Sequence, residues 1–318
     1  MCERRAGNLH PFLWMGCWNT EGEPRERVLE AIRANRITNI VLAGDNVYPR
    51  VKKGPHEKAV FDAGIHGLRE KTIVTTAFGN HNLVEPEHGL PAHQRAFFGR
   101  PADGPLYFCI EYDDAALIVL DTNIMETKAA VEEMAAFCVA QIATLGDKPY
   151  YIVQHEPYAS YKTTKNPLLK NGDILLLALA GVANRPLAIL CADTHNYQEG
   201  VIRVGDVEIR QIVVGTGGAS SDDYNPDLPP LDIEARAGFI PINYTLDRPI
   251  SVANAHQFGY YQMDGPGVGR FIPVFPWLAP AVAAAPAAAV GTARRGGSRR
   301  RRRYQSRHRK SRITRRRR

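Results

Sequence analysis

No run in this 318-residue sequence is apolar over the roughly 20 residues that a bilayer-crossing helix needs. The longest, Ile174 to Ala183, is followed by Asn184-Arg185-Pro186 and reads as a buried helix. Cysteine is scarce: Cys2, Cys17, Cys109, Cys138 and Cys191 are odd in number and show no C-x-x-C spacing. Neither a disulfide framework nor a zinc ribbon is expected, and a reducing compartment fits this usage. Near the start, Arg4 and Arg5 precede an apolar patch from Phe12 to Trp18, but His10-Pro11 interrupts it and no small-residue cleavage site follows. No signal peptide is read there, and an intracellular protein is expected.

Acid is missing from Arg294 to Arg318, where 15 of the 40 Lys and Arg fall. The remaining 25 basic residues face 33 Asp and Glu, so the body carries −8 although the whole chain carries +7. The basic character therefore belongs to the C-terminal stretch. Three segments follow: a domain over 1–279, an Ala/Pro-rich linker over 280–293, and an Arg-rich tail over 294–318 expected to be disordered because it has too little apolar surface to fold.

Within the domain, short β-branched runs alternate with helical patterns. Pro24 to Asn35 reads as a helix with Val28, Leu29 and Ile32 as its stripe, and Ile37 to Ala43 as the strand after it. Lys71 to Ala77, Tyr107 to Tyr112, Ala116 to Leu120, Tyr150 to Gln154 and Leu187 to Cys191 read as further strands. Ala129 to Leu145 is helical, and Asp173 is a candidate cap for the helix after it. Val201 to Val204 and Val207 to Val214 form a hairpin turned at Gly205-Asp206. Residues 219 to 250, rich in Asp and Pro, show no period and read as a surface excursion over the site; His256 to Met263 is a last strand.

Polar residues collect just past the strands: Cys17, Asp45 with Tyr48, Asn80 with His81, His155, and Asp193 with His195. The C-terminal edge of an open α/β sheet is where ligands bind. A mixed imidazole and carboxylate set there suits divalent metals that polarise a phosphoryl oxygen. Each residue also has a plainer reading. Asp45 could fix a turn, His81, His155 and His195 could be structural, Asp193 could be a solvated loop residue, and Cys17 beside Trp14 and Trp18 could be a small buried hydrophobe. His10, His56, His66, His88, His93 and His256 read as surface or packing residues.

Gly44-Asp45-Asn46-Val47-Tyr48, Gly79-Asn80-His81, His155 before Pro157, and Cys191-Ala192-Asp193-Thr194-His195-Asn196 together resemble the calcineurin-like metallophosphoesterases, within them the purple (tartrate-resistant) acid phosphatases. The resemblance runs over about residues 12 to 265 in order. It implies an α/β fold of two sandwiched β-sheets with flanking helices (αββα) and hydrolysis of phosphate esters by a hydroxide held between two metal ions, Fe, Zn or Mn. Asp45 would bridge the ions, with Tyr48 and His195 on the first and Asn80 and His155 on the second. His81 would approach the ester and protonate its leaving oxygen or steady the transition state.

Two positions depart from the family pattern. Gly16-Cys17-Trp18-Asn19 stands where the family has Gly-Asp-x-His or Gly-Asp-Trp-Gly, and Asp193 stands where Gly-His-x-His has its first His. Cys17 and Asp193 can both still bind metal. A thiolate favours softer ions at the first position, and a second carboxylate makes the other shell harder. Two metals, one, or none are all compatible with this pattern. The expected partners are a phosphate-ester substrate and, through the Arg run, nucleic acid bound without sequence preference in the nucleus or a virus particle. The alternative is a catalytically degenerate phosphoesterase fold that serves as a nucleic-acid-associated structural protein.

Overall fold

Most of the short apolar runs become strands, with glycine or a polar residue following within a few positions. A computed structural model describes residues 1–34, 37–48, 55–83, 89–160, 169–215, 217, 219, 231–233, 237–245, 250–253, 257–263 and 269–276. All of these belong to the unit Met1–Pro280. The linker 280–293, the basic stretch 294–318, His88 and His256 lie outside the described residues.

The first half runs β1 (Glu3–Arg4), β2 (Phe12–Met15), α1 (Glu23–Ala34), β3 (Asn39–Leu42), α2 (Pro55–Gly67), β4 (Thr72–Thr76), α3 (Asn80–Leu83), α4 (Leu90–Phe97), β5 (Phe108–Glu111) and β6 (Ala116–Val119). The second runs α5 (Lys128–Leu145), β7 (Tyr150–Val153), α6 (Gly172–Gly181), β8 (Ile189–Cys191), β9 (Tyr197–Val204), β10 (Val207–Val214), β11 (Leu231–Ile233), β12 (Ala237–Thr245), β13 (Ile250–Ala253), β14 (Gln257–Met263) and β15 (Gly269–Pro276).

These strands make two sheets, of order β1-β5-β6-β7-β8-β10-β9-β12-β11 and β15-β14-β13-β2-β3-β4. Strands β6, β7 and β8 are parallel in the first, and β2, β3 and β4 in the second. β6 and β7 are buried along their whole length, as expected of strands covered on both faces. One face contributes Leu117, Val119, Tyr151 and Val153 to a core shared with Phe12, Trp14 and Val41 of the other sheet. The opposite face packs Ile118, Ile152 and Ile189 against Cys138 and Ile142 of α5 and Leu175 and Leu179 of α6. Val28, Leu29 and Ile32 of α1 are buried as the periodicity predicts. Helix, sheet, sheet and helix thus layer as αββα.

Three expectations are corrected. Cys2 and Cys109 form a disulfide, because β1 pairs in parallel with β5 in a register (Glu3 opposite Ile110) that sets the two cysteines side by side. Residues 219–250 are not a strandless excursion: β12 pairs antiparallel with β9, and a register shift at Pro241/Asn243 breaks the alternation that would have marked it. Asp173 lies in the first turn of α6 instead of capping it; the cap position is Asn171, in left-handed conformation.

The disulfide closes a loop with a sequence separation of 107 and tethers a two-residue edge strand. Loops of that length carry up to about 4.7 kcal/mol in the chain-entropy account, with about 2–4 typical. Cys2→Ser is therefore expected to lower unfolding stability by about 2–4 kcal/mol, read from denaturant midpoints under non-reducing conditions. An unchanged midpoint would mean that β1 is held by its other contacts.

At the end of the molecule away from the polar strand ends, Asp114 accepts hydrogen bonds from Leu9 N (2.7 Å), His10 N (3.1 Å) and His10 Nδ1 (2.8 Å). Tyr151 donates its hydroxyl to His10 Nε2 at 2.7 Å, so His10 is a partly buried link between the sheets. Burial alone would raise the Asp114 carboxyl, but these donors outweigh it and hold it below the usual carboxylate value. A lowered folded-state value stabilises above the unfolded value and is lost as pH falls through the folded one. Because 23% of the side chain meets solvent, the contribution is on the order of 1 kcal/mol. Asp114→Asn is expected to flatten the acid limb of stability as pH falls below the ordinary carboxylate range, measured by urea midpoints.

Candidate metal centre

The polar strand ends of the two sheets meet at one edge. Past β3, Gly44 takes φ +92°, and a Cβ on it would stand 2.5 Å from His155 Nδ1. Glycine is needed there for both reasons. Asp45 follows at φ +50°, while Cys17 past β2 and Asp193 past β8 sit at φ +50° and +53°. These three, with Asn19 at φ +63° in the same turn as Cys17, are non-glycine residues in left-handed backbone and store roughly 1–2 kcal/mol each. Such strain persists where the surroundings impose it, and it clusters at functional sites. Here Cys17 N donates to Gly44 O and Trp18 N to Asp45 O, both at 3.1 Å, which ties the two sharp turns together.

Cys17 Sγ, an Asp45 carboxylate oxygen and a ring nitrogen of His155 lie within 4.8 Å of one another, all three residues buried. His155 donates Nδ1–H to Ala43 O at 2.8 Å, which turns Nε2 inward. Nε2 stands 3.3 Å from Asp45 Oδ2 and 3.7 Å from Asp193 Oδ1. It is fully buried and has no hydrogen-bond partner among the described residues. Gly79 borders the same space: a Cβ there would lie 2.2 Å from Asp45 Oδ1 and 2.7 Å from His155 Nε2.

Around this group, Tyr48 donates its hydroxyl to Asp45 Oδ2 at 2.6 Å and meets His195 Nε2 at 3.1 Å. With its one proton committed to Asp45, the tyrosine oxygen accepts from His195. The backbone N–H of His81 reaches Asp45 Oδ1 at 2.9 Å, and its ring lies 4.8 Å, centroid to centroid, from that of Tyr48. Cys17, Asp45, Tyr48, His81, His155, Asp193 and His195 are thus brought together. Asn80 is not: its side chain is exposed at the start of α3, and no hydrogen bond among the described residues joins it to the cluster.

Charge in the cluster is interdependent. Burial would raise the Asp45 carboxyl, but the facing His155 outweighs it and holds Asp45 far below the usual range. Burial would lower His155, yet Asp45 and then Asp193 lift it to about 9. The Cys17 thiol is pushed well up by burial and by the charges of Asp45 and Asp193; the Tyr48 hydroxyl is pushed up by burial and by Cys17 and Asp45. Without a cation, the imidazolium is what balances these acids. A divalent cation supplies that charge more fully, and the sulfur, carboxylate and imidazole donors suit one. The residues present therefore fit a bound metal.

Sequence reasoning missed a supporting network. Asn82 Oδ1 accepts from Asp45 N (2.7 Å) and Gly79 N (2.8 Å), clamping two strand ends, and its amide donates to Gln94 Oε1 of α4. Asn46 accepts from Trp18 Nε1 at 3.0 Å and donates to Thr76 Oγ1 at 3.0 Å. Only the adjacency of Asn46 to Asp45 and of Asn82 to His81 hinted at these roles.

No protein-family model matches the chain, and no curated protein sequence matches it. Solved structures do. A purple acid phosphatase isolated from yellow lupin (Lupinus luteus) seeds superposes with TM-score 0.52 at 15% identity, over 82% of this chain and 53% of that one. PhoD superposes with TM-score 0.53 at 12% identity, over 83% of this chain and 68% of that one. The chain spans about half the length of the lupin enzyme. The likeness at these identities is one of architecture: two sheets with flanking helices, the calcineurin-like metallophosphoesterase fold.

Proposed function

We propose that this chain is a metal-dependent phosphoesterase whose reaction centre is the Cys17, Asp45, His155 and Asp193 cluster. The observation that carries the reading is His155 Nε2, buried, without a hydrogen-bond partner among the described residues, and facing Asp45 and Asp193. A bound divalent metal supplies Lewis acidity toward a phosphoryl oxygen and an activated water. The chain's own groups do the rest. Asp45 is oriented by Tyr48 and by the His81 amide, and His155 by the Ala43 carbonyl. His81, only partly buried beside Tyr48, is the group placed to give a proton to the departing oxygen.

The test is hydrolysis of a generic phosphomonoester before and after chelation. Activity is expected to disappear with chelator and return with Zn, Mn or Fe. A chain that takes up no metal and hydrolyses nothing would instead be a scaffold built on the same fold. Among the described residues no helix is long and apolar enough to cross a membrane. We place the protein at nucleic acid, held through the 15 basic residues between Arg294 and Arg318. The Cys2–Cys109 disulfide argues against a strictly reducing setting, so a nucleic-acid-containing particle suits this reading better than the nucleus.

A further inference from the structure

We infer that Cys17, Asp45, His155 and Asp193 together hold one thiophilic divalent ion in a four-donor site, with the cysteine sulfur as a ligand. The inference rests on the metal-centre reading above. Ligand atoms at about 2.0–2.2 Å from a tetrahedral ion stand roughly 3.3–3.6 Å apart. His155 Nε2 is 3.3 Å from Asp45 Oδ2 and 3.7 Å from Asp193 Oδ1, so the imidazole nitrogen already stands at about a tetrahedral edge from each carboxylate. The sulfur joins them from within 4.8 Å of the Asp45 and His155 donor atoms.

The alternative, that Cys17 is a small packing residue, does not explain its backbone. Cys138 and Cys191, the other buried free cysteines, sit in a regular helix and a regular strand. Cys17 alone of the three is in left-handed conformation, held by Gly44 O on one side and by Ala219 N on the other. Asp193 shares that conformation. Strain at two donors beside one buried imidazole nitrogen that faces two carboxylates points to a site shaped for a ligand. The remaining polar groups stand outside the set. Tyr48 orients Asp45 and is itself hydrogen-bonded to His195, and Asn80 is exposed. One sulfur, one imidazole and two carboxylates favour Zn²⁺ or Co²⁺ over Mg²⁺ or Ca²⁺.

Cobalt makes the test optical and independent of activity. The full chain, stripped of metal and incubated with Co²⁺, is expected to retain one Co²⁺ after gel filtration. It should show a near-ultraviolet sulfur-to-cobalt charge-transfer band and visible bands of tetrahedral strength. Cys17→Ser should lose the charge-transfer band and bind Co²⁺ more than about tenfold more weakly. Asp193→Asn should keep the band and lose affinity. Two Co²⁺ per chain without the band, or a band that survives in Cys17→Ser, would overturn the inference and leave the phosphoesterase reading intact. No retained Co²⁺ in the unaltered chain would overturn both. The spectrum of the unaltered chain decides the matter even if a variant fails to fold.

Discussion

Asp45→Asn is expected to lower phosphomonoester hydrolysis by about 10³-fold or more, because it removes the carboxylate on which contacts from Tyr48, His81 and His155 converge. Metal-assisted charge stabilisation is worth several kcal/mol, and each 1.36 kcal/mol is tenfold in rate. Asp45 receives the Tyr48 hydroxyl, the His81 amide and the facing His155 ring. An asparagine of the same size keeps one acceptor oxygen but presents an amide NH₂ in place of the other, and it carries no charge. His155 would lose the anion that chiefly holds its value up near 9, and the ring would become neutral at lower pH. The variant should fold, since Asn82 and the Trp18 and Cys17 backbone bonds still hold the turn. It should retain less metal in elemental analysis. Turnover equal to that of the unaltered chain would remove Asp45 from the chemistry and with it the proposed function.

Much of this centre was legible because strand ends advertise themselves. A short β-branched run that stops at Gly-Asp-Asn or Ala-Asp-Thr-His shows both the strand and the residue that it delivers, and parallel strands deliver those residues to one edge. Cys17, Asp45, His155, Asp193 and His195 were singled out in this way, and the fold brings them to one place. Asn80 was singled out by the same rule, but α3 begins at that residue and turns its side chain outward, which a run of polar letters does not reveal. The supporting amides left no comparable trace. Asn82 and Gln94 are 12 residues apart on different helices, and their meeting is a product of the fold.

Elements without a period were missed for similar reasons. β1 has two residues, too few to alternate, so its parallel register with β5 and the disulfide that follows could not be read from five scattered cysteines. β12 contains Pro241 at a register shift, and β15 contains Pro273 and Pro276, where proline argues against a strand reading. Helix α2 has little amphipathic contrast and carries Gly64, whose added Cβ would collide with the Asn19 amide at 2.3 Å. That glycine is explained by close packing, which becomes visible only once Asn19 is known to lie against it.

Deletion of residues 294–318 is expected to abolish salt-sensitive binding to duplex DNA or RNA while leaving the metal centre and the thermal transition unchanged. The stretch holds 15 basic residues and no acid, and the remainder carries −8. Neutralising about 6–10 phosphates gives a log–log salt slope near −0.9 per contact on B-DNA, or a loss of about 10³–10⁵ in affinity between 50 and 200 mM salt. A body of net negative charge should repel the same polyanion, so the truncated chain should show little binding at any salt. The slope also separates two ways of binding: affinity that falls steeply with salt but is indifferent to sequence marks phosphate neutralisation, whereas a shallow slope with sequence preference marks base contacts. Binding that survives the deletion would move the contact surface into Met1–Pro280, against its charge, and would make the nucleic acid itself the first phosphate ester to offer the metal centre as substrate.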